Sequence, residues 1–255
     1  MIRMILVAIW VFFFLLLTLP MALVEQILTK KNPQKRDRIA YHMIRFAFRG
    51  ILFLSGVKVE LRGEENMPKA GEAGLYVSNH RGYFDIIAAY TLVPDITGFV
   101  TKKEIEKVPV FRLWCRYIRC LFLDRSDMRA GMQMMLDGVK QVKSGASVWI
   151  CPEGTRMKEP DCTKMGEFHA GSFKIAEKSN GMVYPVAISG SAEVWELHFP
   201  WIRASKMIVE FGKPIDMKQL GKEEKKQIAD LAQQEIYEML VEHKAERDTW
   251  KSQRG

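Results

Sequence analysis

The run Ile5–Val24, ILVAIWVFFFLLLTLPMALV, holds twenty consecutive residues without a charge. A helix needs about 20 such residues to cross the hydrocarbon core of a bilayer, so everything downstream has to fold beside a segment that seeks lipid. A cleaved signal peptide is the competing explanation, and it fits poorly. Arg3 alone supplies a positive leader, the apolar stretch is long, and no small-x-small cleavage site follows it. The segment is therefore read as retained in the mature protein. Lys30, Lys31, Lys35, Arg36 and Arg38 come directly after it, and bases flanking an apolar helix stay on the cytoplasmic side. Next, Ile39–Val57 is apolar except for His42, Arg45 and Arg49, which recur at i, i+3 and i+7 and form one polar stripe. Two placements suit such a helix: along the membrane interface, or in the core of the soluble part.

Charge patterning agrees with a lipid surface. Of the net +8 on this 255-residue chain, +6 lies in residues 1–57, where eight bases face two acids. Basic charge joined to an apolar run points to a phospholipid bilayer as partner. No zinc-finger spacing or RNP-like aromatic motif is present, so no nucleic-acid partner is expected. The four cysteines, Cys115, Cys120, Cys151 and Cys162, form no C-x-x-C pair and have no histidine at ligand spacing. Neither a metal site nor a cofactor is expected from them. A chain this long builds a core without disulfides, and thiols in a reducing compartment are the better reading.

From Lys58 onward, short strand-like runs alternate with amphipathic stretches. The runs are VKVEL (57–61), GLYVSN (74–79), GFVT (98–101), CLFLD (120–124), SVWIC (147–151), VYPVAI (183–188) and KMIVEFG (206–212). The spacing predicts a helix over 127–143, with Met128, Met132, Met135, Val139 and Val142 as a core-packing stripe and Gly145 as the stop. A last helix is predicted over 222–244, with Ile228, Leu231, Ile236, Met239 and Leu240 on its apolar side. The expected fold class is α/β: a mixed sheet covered by helices, preceded by an N-terminal hydrophobic helical membrane motif.

Three loops at the C-terminal ends of strand-like runs carry the chemistry, as loops of α/β sheets do. The first is Ser78-Asn79-His80-Arg81-Gly82-Tyr83-Phe84-Asp85. On one continuous helix, His80 and Asp85 would point about 140° apart, so the chain has to turn between them, and Gly82 is the residue expected to allow it. A carboxylate on one imidazole nitrogen leaves the other free to accept a proton, although spacing alone favours a satisfied loop pair. The second loop is Phe122-Leu123-Asp124-Arg125, and the third is Cys151-Pro152-Glu153-Gly154-Thr155-Arg156. Arg125 and Arg156 suit a phosphate, whose oxygens match a guanidinium fork, and Lys102 and Lys103 add point charge. Singly, each of these cations is more often a surface ion-pair partner.

Taken in order, NHRGYFD, TKKE, FLDR, PEGTR and YPVAI resemble the PlsC-type glycerolipid acyltransferases, the lysophosphatidic acid acyltransferase family. Its N-H-x-x-x-x-D, G-x-x-F-x-D-R-like, F-P-E-G-T-R and V-P-V/I boxes correspond to 79–85, 119–125, 151–156 and 184–188. The resemblance covers about residues 57–215. It implies membrane helices over 1–57, a catalytic domain over 58–215, and a C-terminal amphipathic helix and tail over 216–255. Three departures stand out: Arg119 and Cys120 replace glycines of the second box, Cys151 takes an aromatic position, and Tyr184 replaces Val. They bear on acceptor and acyl-chain preference, not on the His–Asp box.

The resemblance implies transfer of a fatty acyl group from acyl-CoA or acyl carrier protein to 1-acylglycerol-3-phosphate, giving phosphatidic acid without a cofactor or metal. His80 and Asp85 would be catalytic. Lys102, Arg125 and Arg156 would hold the phosphate of the lysophospholipid acceptor. Glu153, Gly154 and Thr155 would shape its site, unless Glu153 is only a structural partner to one of the cations. Another acceptor, such as glycerol-3-phosphate or a phosphate-free lysolipid, is the nearest alternative. A membrane-bound serine hydrolase is disfavoured because neither Ser172 nor Ser189 sits in G-x-S-x-G. Cys151 closes an apolar run, where a thiol behaves as a small hydrophobe, so direct attack by the acceptor hydroxyl is expected over an acyl-enzyme.

Overall fold

The computed structural model describes residues 1–28 and 32–252; Lys30 and Lys31 of the basic cluster lie outside them. All seven strand-like runs are strands: β1 Lys58–Arg62, β2 Gly74–Ser78, β3 Thr97–Lys102, β4 Leu121–Leu123, β5 Ser147–Ile150, β6 Met182–Ser189 and β7 Lys206–Phe211. A two-residue strand, β8 Ile215–Asp216, was not foreseen and continues the lane of β7 along β6. The order is β1-β7-β6-β2-β5-β3-β4. β6, β2, β5, β3 and β4 run parallel, while β7 is antiparallel to β6 and pairs in parallel with β1. This is the mixed sheet expected, and it brings the C-terminal ends of five strands to one edge.

Strand periodicity sorts the core into two layers. Tyr76, Trp149, Tyr184 and Phe211 face helices α2 (Pro33–Ser55), α3 (Tyr83–Leu92) and α4 (Pro109–Tyr117). Leu75, Val77, Val148, Ile150 and Val183 face α5 (Met128–Lys143), α6 (Lys174–Ser179) and the long α8 (Ile228–Ser252). In the first layer Phe99, Trp149, Tyr76 and Tyr184 lie in register across four strands. Their ring centroids are 5.4, 4.9 and 5.3 Å apart, so the unusual Tyr184 completes a cross-strand aromatic row.

Helix α1 (Ile2–Leu28) packs on α2. Trp10 Nε1 donates to the Ala47 carbonyl at 3.0 Å. A Cβ at Gly50 would lie 2.4 Å from the indole, so only glycine admits that ring. Met4, Val7, Trp10, Val11 and Phe14 join the first core layer. On the opposite side Ile2, Ile5, Ile9, Phe12, Phe13, Leu16 and Leu17 are exposed. Residues 2–20 are the one described stretch long and apolar enough to cross a membrane. One side of the striped helix α2 packs in the core, where Ala40, Tyr41, Ile44, Ile51 and Leu52 are buried, while Phe46 and Phe53 on its other side are exposed. Its stripe still reaches inward, because Arg45 Nε donates to the Thr91 carbonyl at 3.0 Å.

Two expectations need correction. The methionine stripe of α5 is core only in its second half: Val139 and Val142 are buried, while Met128 is 86% and Met132 57% exposed. Periodicity selects a helix face but says nothing of how far a neighbour covers it. The C-terminal helix is also not continuous, since α7 (Lys222–Lys226) ends before α8 begins. In the second box Arg119 takes a left-handed backbone, φ 58°, a conformation that costs a non-glycine residue about 1–2 kcal/mol. Its guanidinium meets the buried Asp37 carboxylate at 2.7 Å, tying the entry of β4 to α2. The family glycine is thus replaced by a residue with a compensating ion pair.

Candidate active site

The H-x-x-x-x-D spacing is explained by a helix end. Asp85 is the third residue of α3, where a carboxylate reaches back over the free amides of the first turn. Its Oδ2 accepts from Arg81 N at 2.7 Å and Gly82 N at 2.8 Å, and lies 2.9 Å from His80 Nδ1. His80, still in the loop, thereby has Nδ1 held, and Nε2 has no partner among the described residues. Asp85 is buried and the His80 ring is partly open. The turn does pass Gly82, but for a different reason than expected. Its backbone is extended, φ −161°, which any residue adopts. A Cβ there would sit 2.6 Å from a Glu196 oxygen, so any other residue would have to push the Glu196 carboxylate aside.

The first and third boxes interlock. Glu153 Oε1 accepts from His80 N at 2.7 Å and its Oε2 from Gly166 N at 2.6 Å. Met157 N donates to the His80 carbonyl at 2.8 Å. Glu153 is therefore not paired with a cation; it brackets the backbone of the His80 loop and of the segment that follows the third box. Burial pushes its carboxyl up, against the two amide bonds that favour the charged form. Gly154 has φ +68°, the left-handed region that favours glycine, and Thr155 is exposed beside it.

Two more residues of the first box bind structure. The Asn79 amide pairs with Ile188, donating to its carbonyl at 2.9 Å and accepting from its N–H at 2.8 Å. This ties the end of β2 to β6. Arg81 is buried and donates to the carbonyls of Asp161, Lys164 and Glu159, which fastens residues 159–164 beside the site. The Cys151 thiol, near Ser78 Oγ at 3.5 Å, is pushed up to about 12 by burial. It stays protonated near neutral pH and makes a poor nucleophile.

The cations divide. Arg156 Nη1 meets Glu196 Oε1 at 3.3 Å, and its guanidinium lies 4.2 Å over the Tyr83 ring. Lys102 and Arg125 are exposed and without a partner among the described residues. Lys103, expected to add free charge, is instead bound to Asp124 at 3.1 Å. At about 4.8 Å per strand, the ends of β3 and β4 lie about 10 and 14 Å from the end of β2. Lys102 and Arg125 thus share the edge of His80 without touching it. Among the described residues no three His, Cys, Asp or Glu side chains converge to hold a metal ion.

Sequence reading missed Glu196, Asn79, Arg81 and Gly166. Asn79 and Arg81 stand inside the first box, and their neighbourhood was the available signal. Glu196 opens a short 3-10 turn after β6, 113 residues from the Tyr83 amide it binds, and no local pattern marks it.

Comparison with known proteins places the chain in a family. The Acyltransferase family model matches residues 58–189. The chain is 28% identical over 200 residues to the 1-acyl-sn-glycerol-3-phosphate acyltransferase of Escherichia coli, covering 76% of this chain and 79% of that one. It is 29% identical over 154 residues to a chloroplastic 1-acyl-sn-glycerol-3-phosphate acyltransferase of Arabidopsis thaliana, covering 60% of this chain but only 42% of the plant protein. The crystal structure of the 1-acyl-sn-glycerophosphate acyltransferase PlsC from Thermotoga maritima superposes with a TM-score of 0.74 at 24% identity, over 96% of this chain and 97% of that one. That likeness extends the shared fold through the N-terminal helices. With the family model covering half of the sequence, and the His–Asp and Glu-Gly-Thr-Arg boxes meeting at one sheet edge, the chain belongs to the Acyltransferase family.

Proposed function

We propose that this chain transfers a fatty acyl group from a thioester of CoA or acyl carrier protein to the free hydroxyl of 1-acylglycerol-3-phosphate, giving phosphatidic acid. The observation that carries the reading is the His80 imidazole, held through Nδ1 by Asp85 with Nε2 left for a substrate proton. Nε2 takes the acceptor hydroxyl's proton as its oxygen attacks the thioester carbonyl. Asp85 stabilises the imidazolium that forms. Collapse of the tetrahedral intermediate forms the ester, and the departing thiolate takes up the proton from His80. No protein nucleophile is needed, which fits the desolvated Cys151 thiol. Arg156, Arg125 and Lys102 bind the acceptor phosphate, while Glu153 acts through the backbone of His80.

The same reading puts the enzyme on a bilayer, with residues 58–215 as catalytic domain on the cytoplasmic face. The exposed stripe of α1 supports it, and so do exposed Leu197, Phe199 and Trp201 after β6, on the edge that carries the site. Lys35, Arg36 and Arg38 supply positive charge beside the apolar helix.

The test is a purified chain given labelled acyl-CoA or acyl-carrier protein and a panel of acceptors. Phosphatidic acid from 1-acylglycerol-3-phosphate is the expected product. Preferred acylation of glycerol-3-phosphate or of a phosphate-free lysolipid would move the acceptor assignment, and fatty acid release without acceptor would indicate a hydrolase. Replacing Ile5, Ile9, Phe12 and Leu16 together by Gln should weaken sedimentation with anionic vesicles by at least about a hundredfold, since each inserted side chain contributes roughly 1 kcal/mol or more.

A further inference from the structure

Arg156 is the best-placed cation for an acceptor phosphate, and it is already occupied. The segment following β6 returns Glu196 to the start of α3. There one oxygen, Oε1, accepts from Tyr83 N at 2.8 Å and meets Arg156 Nη1 at 3.3 Å. Stacking 4.2 Å over Tyr83 fixes the guanidinium further. The other oxygen, Oε2, is buried without a partner among the described residues, and it lies in the space that a Cβ at Gly82 would take. Burying a carboxylate with an unsatisfied oxygen costs stability, and a glutamine would serve the Tyr83 amide equally well. What glutamine lacks is the charge that faces Arg156.

We propose that Glu196 is an internal counter-ion that holds Arg156 until the acceptor phosphate displaces it. Glu196 is thus a positioning residue that acts on the acceptor through Arg156, and the inference rests on the phosphate-binding role proposed above for that arginine. In the empty site the pair keeps a cation next to His80 balanced and oriented. A phosphate oxygen then takes over the guanidinium with a stronger, charge-assisted contact. Because the binding-competent arginine is only fractionally free, the apparent acceptor affinity is lowered by that fraction.

The experiment is a double-mutant cycle on the full chain, with KM and kcat measured for 1-acylglycerol-3-phosphate and for phosphate-free 1-acylglycerol. Glu196→Gln keeps an acceptor for the Tyr83 amide and removes the charge. It should lower KM for the phosphate acceptor two- to five-fold, the size expected for releasing a partly exposed ion pair, with a smaller change in kcat and none in KM for 1-acylglycerol. Placed on Arg156→Ala, the same substitution should leave KM where Arg156→Ala alone put it. An unchanged or raised KM for Glu196→Gln, alongside a raised KM for Arg156→Ala, overturns the counter-ion role and spares the phosphate reading. No effect of Arg156→Ala on KM for the phosphate acceptor overturns both. An equal KM effect of Glu196→Gln with and without Arg156 overturns the coupling, since Glu196 would then act by another route.

Discussion

The two sets of loops on the catalytic edge are built differently. The first and third boxes are locked together by buried groups: Glu153 on the His80 and Gly166 amides, Asp85 on Arg81 and Gly82, Asn79 on Ile188, and Arg81 on three carbonyls. The outer pair, at the ends of β3 and β4, is held at the surface by Lys103–Asp124 and by the Asp124–Ser126 turn. Lys102 and Arg125 simply project from it. The contrast follows from the tasks proposed. A general base must meet its proton within a few tenths of an ångström, so its loop is fixed in advance. The outer cations, Lys102 and Arg125, act on the proposed phosphate through charge, which tolerates looseness, and are ordered only when the ligand arrives.

The comparison breaks first at the base. His80→Ala should cut kcat by roughly 10²–10⁴-fold with little change in thermal unfolding, and near-normal turnover would sink the mechanism. Asp85→Asn should also cost about 10²–10⁴-fold in kcat with little effect on acceptor KM, because it disturbs tautomer and charge rather than binding. Glu153→Ala tests the interlock itself. Two inner amides lose their acceptor, so stability should fall by about 2–4 kcal/mol, and activity should fall with it if Glu153 acts, as proposed, only through the His80 backbone. Denaturant unfolding decides this: wild-type stability with lost activity would assign Glu153 to the acceptor instead.

The outer loop should behave in the opposite way. Arg125→Ala should leave stability unchanged, because the side chain is exposed and unpaired, yet lower kcat/KM for the phosphate acceptor by about 1.5–3 kcal/mol. Arg156→Ala should show a similar loss. Equal losses with phosphate-free 1-acylglycerol would make these arginines structural. The smallest effect belongs to Cys151→Ala, which should keep activity within about threefold, with any loss traceable to the removed sulfur's packing. Labelled acyl-CoA without acceptor should leave no label on the denatured protein. A stoichiometric thioester on Cys151 would replace direct attack by a two-step route.

What the sequence determined by itself is what local pattern encodes. Short apolar runs marked seven strands, the twenty-residue apolar stretch marked α1, and the H-x-x-x-x-D box set a histidine and a carboxylate five residues apart, a separation that a helix N-terminus can close. The physics there is short-range: a strand's faces, a helix's pitch and a cap are set by neighbours in the chain. Only the tertiary structure decided which partner each charged group took. Glu153 finds amides rather than a cation, Lys103 is spent on Asp124, Arg119 offsets its left-handed backbone with Asp37, and Glu196 reaches back 113 residues to the Tyr83 amide, where it also meets Arg156. Nor did periodicity tell that Met128 and Met132 stay exposed while one side of α2 packs in the core. Coverage and charge pairing depend on which surfaces the sheet order brings face to face, and that order is a property of the whole packed chain.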